Sequence, residues 1–295
     1  MILMFMGRVV EAREVLELAM ELFNATPEAD RIEARAAGQD AGVSILSFMA
    51  WVSWILGQVD EGVSRMTAAL ERADVVNHAH TFAYAWYYAS VLHALRGEAE
   101  PAQSYAERCL AISEAHGFRH WLGLSRSIRD ICAVVLGSSE SRLDEVKTAV
   151  DGYRSAGYQL GLTVQFVLLC PALLQHNLPE AALEAIDQGL SIVSRNSERF
   201  FEAELYRLKA RALLTRGALS TEVESLLKQA LRTARSQHTQ SLELRAATDL
   251  ARFWMTQGKC AEALDMLSPT YACFTEGFDT PDLKDARTLL AELRR

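Results

Sequence analysis

No two of the five cysteines (Cys109, Cys132, Cys170, Cys260 and Cys273) approach a C-x-x-C spacing. This gives no support to a disulfide framework or a thiolate zinc site, and the cysteines read as reduced, small core residues. A basic excess is missing as well. The 30 Lys and Arg are outnumbered by 38 Asp and Glu, and a net charge of -8 would repel a phosphate backbone, so nucleic acid is not expected as a partner. No G-x-x-x-x-G-K-[ST] loop occurs to cradle a nucleotide. No Val/Ile/Thr alternation suggests strands. Met1 to Met6 is apolar but too short for a secretory h-region, and no basic segment precedes it. The expected location is the cytoplasm.

What is present is apolar length. With 295 residues and 50% apolar side chains, the chain exceeds the size at which one compact core stops growing, so two domains or a solenoid are expected. Two stretches, 41–59 and 155–179, carry no acidic or basic side chain and are long enough to cross a bilayer. Both contain residues that lipid disfavours: Ser44, Ser47 and Ser53 in the first, Gln165, Pro171 and Asn177 in the second. Both also fall in phase with charged segments elsewhere. They read as helices buried on several sides, and no membrane association is expected.

The phase is that of a repeat. Turn residues recur at Gly57, Gly97, Gly137, Asn177, Gly217 and Gly258, at intervals of 40, 40, 40, 40 and 41 residues. A second series, Asn77, Gly117, Gly157, Asn196, His238 and Gly277, falls midway. A helix terminator about every 20 residues, in a chain with helical apolar spacing, makes the unit a helical hairpin of helices A and B. Small residues stand where two helices must approach. Seven places before the first-series turns are Ala50, Ser90, Asp130, Cys170, Ala210 and Ala251, with Asp130 the exception. Twelve places after, counting Gly7 as an earlier turn, are Ala19, Ala69, Cys109, Ala149, Gly189, Gln229 (with Ala230 beside it) and Thr270. Five places after are Ala12, Gly62, Ala102, Arg142, Ala182, Glu222 and Ala263.

These positions resemble those of the tetratricopeptide repeat (TPR), with its 34-residue period stretched to about 40. The expected fold is therefore all-α, a right-handed TPR-like superhelix of roughly 14 helices forming one solenoid over 1–295. An incomplete first repeat and linker (1–35, with a lone helix B at 6–23) precedes six helix pairs (36–277), beginning near 36, 78, 118, 158, 198 and 239. A capping helix (278–295) follows, with Thr280 at its N-cap and Pro281 at its first position. Because Gly7 opens a helix B without a helix A, the sequence looks like a piece of a longer solenoid.

From Gly38-Gln-Asp-Ala-Gly-Val43 to the C-terminus the sequence also resembles the C-terminal TPR-like region of bacterial signalling proteins. In these, a class III adenylate/guanylate cyclase domain is joined to an AAA-type ATPase module. The segments carrying the likeness are 202–209 (EAELYRLK), 241–248 (SLELRAAT) with 250–252 (LAR), and 275–284 (TEGFDTPDLK). A more distant similarity is to the superhelical sensor region of maltose-operon type transcription activators. The resemblance implies a regulatory region that receives a ligand or partner protein. Any cyclase or ATPase activity would belong to other domains of a parent protein.

No motif points to catalysis, a cofactor or a metal. His78 with His80 and His116 with His120 flank turns and are not spaced as ligands on one helix. Helix A lines the concave face in TPR superhelices, so positions 13, 10, 6 and 3 before each turn are the candidate groove. They give an aromatic wall (Trp51, Trp54, Tyr84, Tyr87) and an arginine stripe (Arg207, Arg211, Arg245, Arg252). One reading is a groove for a protein or peptide partner, and another is a receptor holding a small anionic ligand by stacking and guanidinium bonds. The alternative is packing, with the rings as core and the arginines paired to Glu202, Glu204 and Glu243.

Overall fold

The computed structural model describes residues 1–35, 38–137, 161–218 and 220–295, and among these it is helical without strands. Helices α1 (Ile2–Phe5), α2 (Val9–Ala25) and α3 (Glu28–Arg35) precede α4 (Ala41–Ile55), α5 (Val59–Val76), α6 (Ala79–Leu95), α7 (Ala99–His116) and α8 (Arg119–Val135). After residue 160 come α9 (Leu162–Gln175), α10 (Pro179–Asn196), α11 (Glu202–Thr215), α12 (Ser220–Ser236), α13 (Gln240–Thr256), α14 (Cys260–Ala272) and α15 (Pro281–Leu293). The fold is an α-solenoid of TPR-like hairpins. Two helices go beyond the sequence reading: the short α1, and α3, which occupies the segment read as a linker and carries Glu28 and Asp30 in its first turn. The expected turn at Gly157, the small position Ala149 and Arg142 lie outside the described residues.

The terminators act through left-handed backbone. Gly57, Gly97, Gly137, Gly217 and Gly258 have φ between 76° and 93°, and Asn177 has φ 57°. After α6, Gly97 N–H donates to the Ala94 carbonyl and Glu98 N–H to the His93 carbonyl, both near 3.0 Å, which satisfies the last helical acceptors. The same six-to-one bond recurs at Leu178, Ala218 and Lys259, and in the second series at Phe118 and Thr239. One residue then separates the turn from the next helix in most pairs. The second series differs at one site: α10 runs through Asn196, and Ser197 takes the left-handed conformation (φ 57°). At the last helix Thr280 stands at the N-cap, but its hydroxyl donates to the Gly277 carbonyl and makes no side-chain cap.

The small positions mark close approach. Ala50, Ser90, Asp130, Cys170, Ala210 and Ala251 are all at most 1% exposed. Asp130 is tolerated because Arg129 lies 2.7 Å from its carboxylate. Between α4 and α5 a methyl group at Gly62 would stand 2.9 Å from the Ala50 carbonyl oxygen and 3.2 Å from the Trp54 nitrogen. These are backbone atoms that cannot rotate away. Gly62→Ala gains about 1 kcal/mol of helix propensity, but overpacking costs about 1–3 kcal/mol. The expected result is a net loss of stability, seen as a lower thermal midpoint; a raised midpoint would show that the two helices can separate freely.

The residues form two compact units. One holds Met1, Val10–Trp54 and, among the described residues, 61–137; the other holds Ile2–Val9, Ile55–Asp60 and the described residues from 161 to 295. In the first unit, buried Asp40 accepts from Val43 N–H at the start of α4 and takes Arg72 of α5 in a two-pronged pair at 2.6 and 2.9 Å. In the second, the Phe5 carbonyl accepts from both Arg199 N–H (2.7 Å) and Phe200 N–H (3.1 Å). There too, Asp60 N–H donates to Glu276 while Gly277 N–H donates to Asp60, each at 2.9 Å. The apolar stretches weighed against a bilayer form α4 and α9, of 15 and 14 residues. No described helix is long and apolar enough to cross a membrane.

Candidate functional site

In the first unit the aromatic positions build a continuous core across three A helices. Phe48 and Trp51 come from α4, Tyr84, Tyr87 and Tyr88 from α6, and Trp121 from α8. Ring centroids lie 4.8 Å apart for Trp51–Tyr88, 4.5 Å for Tyr84–Tyr88 and 5.3 Å for Tyr87–Trp121. Trp51 Nε1–H donates to the Tyr88 carbonyl at 3.1 Å. Trp51 and Trp54 are 2% exposed, Tyr84 and Tyr87 5%. The structure thus puts all four aromatic candidates in the interior, and burial pushes the Tyr84 hydroxyl up to about 12 despite hydrogen bonds with Tyr88 and Ser44. The helical spacing is the spacing of a core, and aromatic pairs of this geometry add to what area burial supplies.

In the second unit the same repeat positions carry charge. Arg207 of α11 takes Glu204 on its own helix at 2.7 Å and Asp249 of α13 at 2.6 Å. Arg245 of α13 reaches back to Glu204 at 3.2 Å and forward to Asp282 of α15 at 2.8 Å. Arg252 lies 3.5 Å from Asp249 and 2.7 Å from Asp285 of α15. Acids and bases therefore alternate across three successive A-type helices. The inner members are buried, with Glu204 2% exposed and Arg207 6%. Burial alone would raise the Glu204 carboxyl, but Arg207 and Arg245, with the Arg207 hydrogen bond, hold it down at about 2. Reciprocally, the acids keep Arg207 and Arg245 protonated against desolvation.

The four arginine candidates thus separate into two kinds. Arg207 and Arg245 are committed to the ladder. Arg211 is exposed and has no acidic partner within ion-pair distance among the described residues, and the Arg252 side chain is 43% exposed. Of the acids anticipated for them, Glu204 takes that role, while Glu202 pairs with Arg199 and Glu243 with Arg235. Asp249, Asp282 and Asp285 went unrecognised. Asp249 lies four residues after Arg245 and three before Arg252, a charge pattern that places it on their face.

Other candidate chemistry falls away. The histidines near the turns pack against rings: His80 Nε2 accepts from Trp121 Nε1–H at 3.1 Å, and His120 stands edge-on to Trp121 at 4.6 Å. Among the described residues no group of three His, Cys, Asp or Glu is placed to hold a metal. Cys109, Cys132 and Cys170 are core residues whose thiols burial pushes up. Cys260 and Cys273 are exposed, so the reading of all five as core fails for these two. In the first unit an open cleft of about 440 Å³ is lined by Leu16, Ile45 and Phe48, with Gln39 and Ser44 as its polar side chains. Its lining side chains are uncharged, and Met1 also lines it.

No family model and no curated protein matches the chain. Among solved structures, the TPR2AB-domain:pHSP90-complex of yeast Sti1 aligns over 99% of this chain and 96% of that one, with 13% identity and a TM-score of 0.35.

Proposed function

We propose that the protein is a non-catalytic helical-repeat interaction module, whose α11–α13 face engages an acidic peptide segment of a protein partner. The observation carrying this reading is Arg211. Its guanidinium is exposed one helical turn beyond buried Arg207 and has no acidic partner within ion-pair distance among the described residues. Leu214, 53% exposed, lies three residues further on the same face. Arg252 of α13 adds a second accessible guanidinium. Two guanidiniums beside an apolar side chain suit a peptide that carries carboxylates next to an aliphatic residue. A small anionic molecule meets the same arginines but leaves the apolar edge unused. The likeness of segments 202–209, 241–248 with 250–252, and 275–284 to the C-terminal region of cyclase–ATPase signalling proteins extends the proposal to a regulatory role.

The double variant Arg211→Gln/Arg252→Gln tests the proposal. Arg252 pairs with Asp285 at the surface, where such pairs contribute about 0–1 kcal/mol, so the thermal midpoint is expected to stay near that of the parent. Binding of a panel of acidic peptides, followed by fluorescence anisotropy at low and moderate salt, is expected to fall at least about tenfold. Equal binding by both proteins would sink the site.

A further inference from the structure

Helix α2 of the first unit presents a face that nothing in the described structure covers. Val15, Leu18 and Leu22 are 53%, 54% and 62% exposed and, at spacings of three and four, form one stripe. Counted from Gly7, they stand 8, 11 and 15 places after the turn residue. The same places in other B helices show what this register normally holds. Where it is open to solvent its content is mixed: Arg108, Lys228 and Arg232 are charged, whereas Ser225, Pro269 and Cys273 are not. Aliphatic residues in this register are buried at Ala185 and Ile192, at 7% and 4% exposure, and half-buried at Ala68 and Ile112. Among the described residues, only in α2 do three aliphatic residues in this register face solvent together. The stripe is therefore a property of α2 and not of the repeat, and three large aliphatic side chains exposed side by side mark a surface for a partner.

A second row fixes the chemistry of the cover. Glu14, Glu17 and Glu21 each precede a stripe residue by one position, so an acidic edge runs alongside the apolar one, and all three are exposed. Arg13 stands 3.8 Å from Glu17, while Glu14 and Glu21 have no cation within ion-pair distance among the described residues. We infer that α2 docks an amphipathic helix of a partner protein that matches this pattern, with aliphatic residues at heptad-like spacing bordered by a row of Lys or Arg. Charge complementarity selects this occupant. A second copy of α2 supplies a single basic residue, Arg13, and brings glutamates toward glutamates. The surface lies on a different unit from Arg211 and Arg252, so it stands or falls independently of the acidic-peptide reading.

The experiment uses the full chain and two synthetic helical peptides with one common apolar face, edged with lysine in the first and glutamate in the second. Fluorescence anisotropy is expected to show binding of the lysine peptide only. Val15→Gln/Leu18→Gln/Leu22→Gln, three exposed changes to a good helix former, is expected to weaken it at least about tenfold with an unchanged thermal midpoint. Glu14→Lys/Glu21→Lys is expected to shift preference toward the glutamate peptide, an exchange that general stickiness cannot produce. Failure of the lysine peptide to bind, equal binding of both peptides, or indifference to the triple change would each overturn the proposal. So would sedimentation showing a dimer of the full chain that the triple change dissolves, because the stripe would then be an interface between two copies.

Discussion

Glu204→Gln is expected to be among the most damaging single changes, lowering stability by about 3–5 kcal/mol, the scale for breaking a buried ion pair from one side. Glutamine keeps the shape of the side chain and removes its charge. Arg207 would retain Asp249, and Arg245 would retain Asp282, but each loses its shared inner partner at a buried site. Hydrogen exchange should speed up first in α11 and α13, because neighbouring helices carry the coupling in a repeat array. The same carboxylate gives an acid signature. Its folded value, about 2, lies below the ordinary 4.5, so the proton binds the unfolded chain more readily. The stabilisation is fully present above about pH 4.5 and is lost as pH falls toward 2. The parent should therefore lose protection in α11–α13 across that window, and the glutamine variant should lack this component. A change below about 1 kcal/mol with an unaltered acid profile would show that the ladder contributes nothing net, as some buried pairs do.

Trp51→Ala is expected to cost about 3–5 kcal/mol, because it removes a large buried ring and leaves a cavity that α4 and α6 can only partly close. The ring packs on Tyr88 at 4.8 Å, and its Nε1–H would no longer reach the Tyr88 carbonyl. Trp51→Phe should cost less, since an aromatic face still meets Tyr88 while the donor is lost. Thermal unfolding followed by circular dichroism, with exchange read in α4 and α6, distinguishes the two roles considered for this residue. A ring held open for a ligand would leave the midpoint unchanged on truncation. A ring that is core would not.

Helix type and turn position were legible because each depends on nearby residues. A residue tolerating positive φ at Gly57, Gly97 or Asn177 ends a helix wherever it occurs, and a small residue at Ala50 or Ala210 lets a neighbour come close. Ser197 was misplaced by one because Asn196 tolerates the same backbone, and only the length of α10 decides between them. Which A-helix side chains face a groove and which face the next helix was not legible. Trp51 stands six residues and Arg207 ten residues before a turn, two places read as one candidate groove face. Only the distance to Tyr88 or Asp249, 37 and 42 residues away, shows that both are spent on packing. Arg211 stays accessible because it lies one turn further along the helix.

The two bonds from Arg199 and Phe200 to the Phe5 carbonyl concern the order of synthesis. Hairpins such as α6 and α7 need only adjacent sequence, so they can pair as soon as both helices leave the ribosome. Ile2–Val9 belongs to a unit whose helices α9 to α15 are made much later. At ordinary elongation rates of about 5–20 residues per second, its acceptor waits roughly 10–40 seconds for its donors. During that interval Phe5 lacks the Phe200 ring on which it packs, so this apolar segment cannot reach its final packing until the chain beyond α10 has been made.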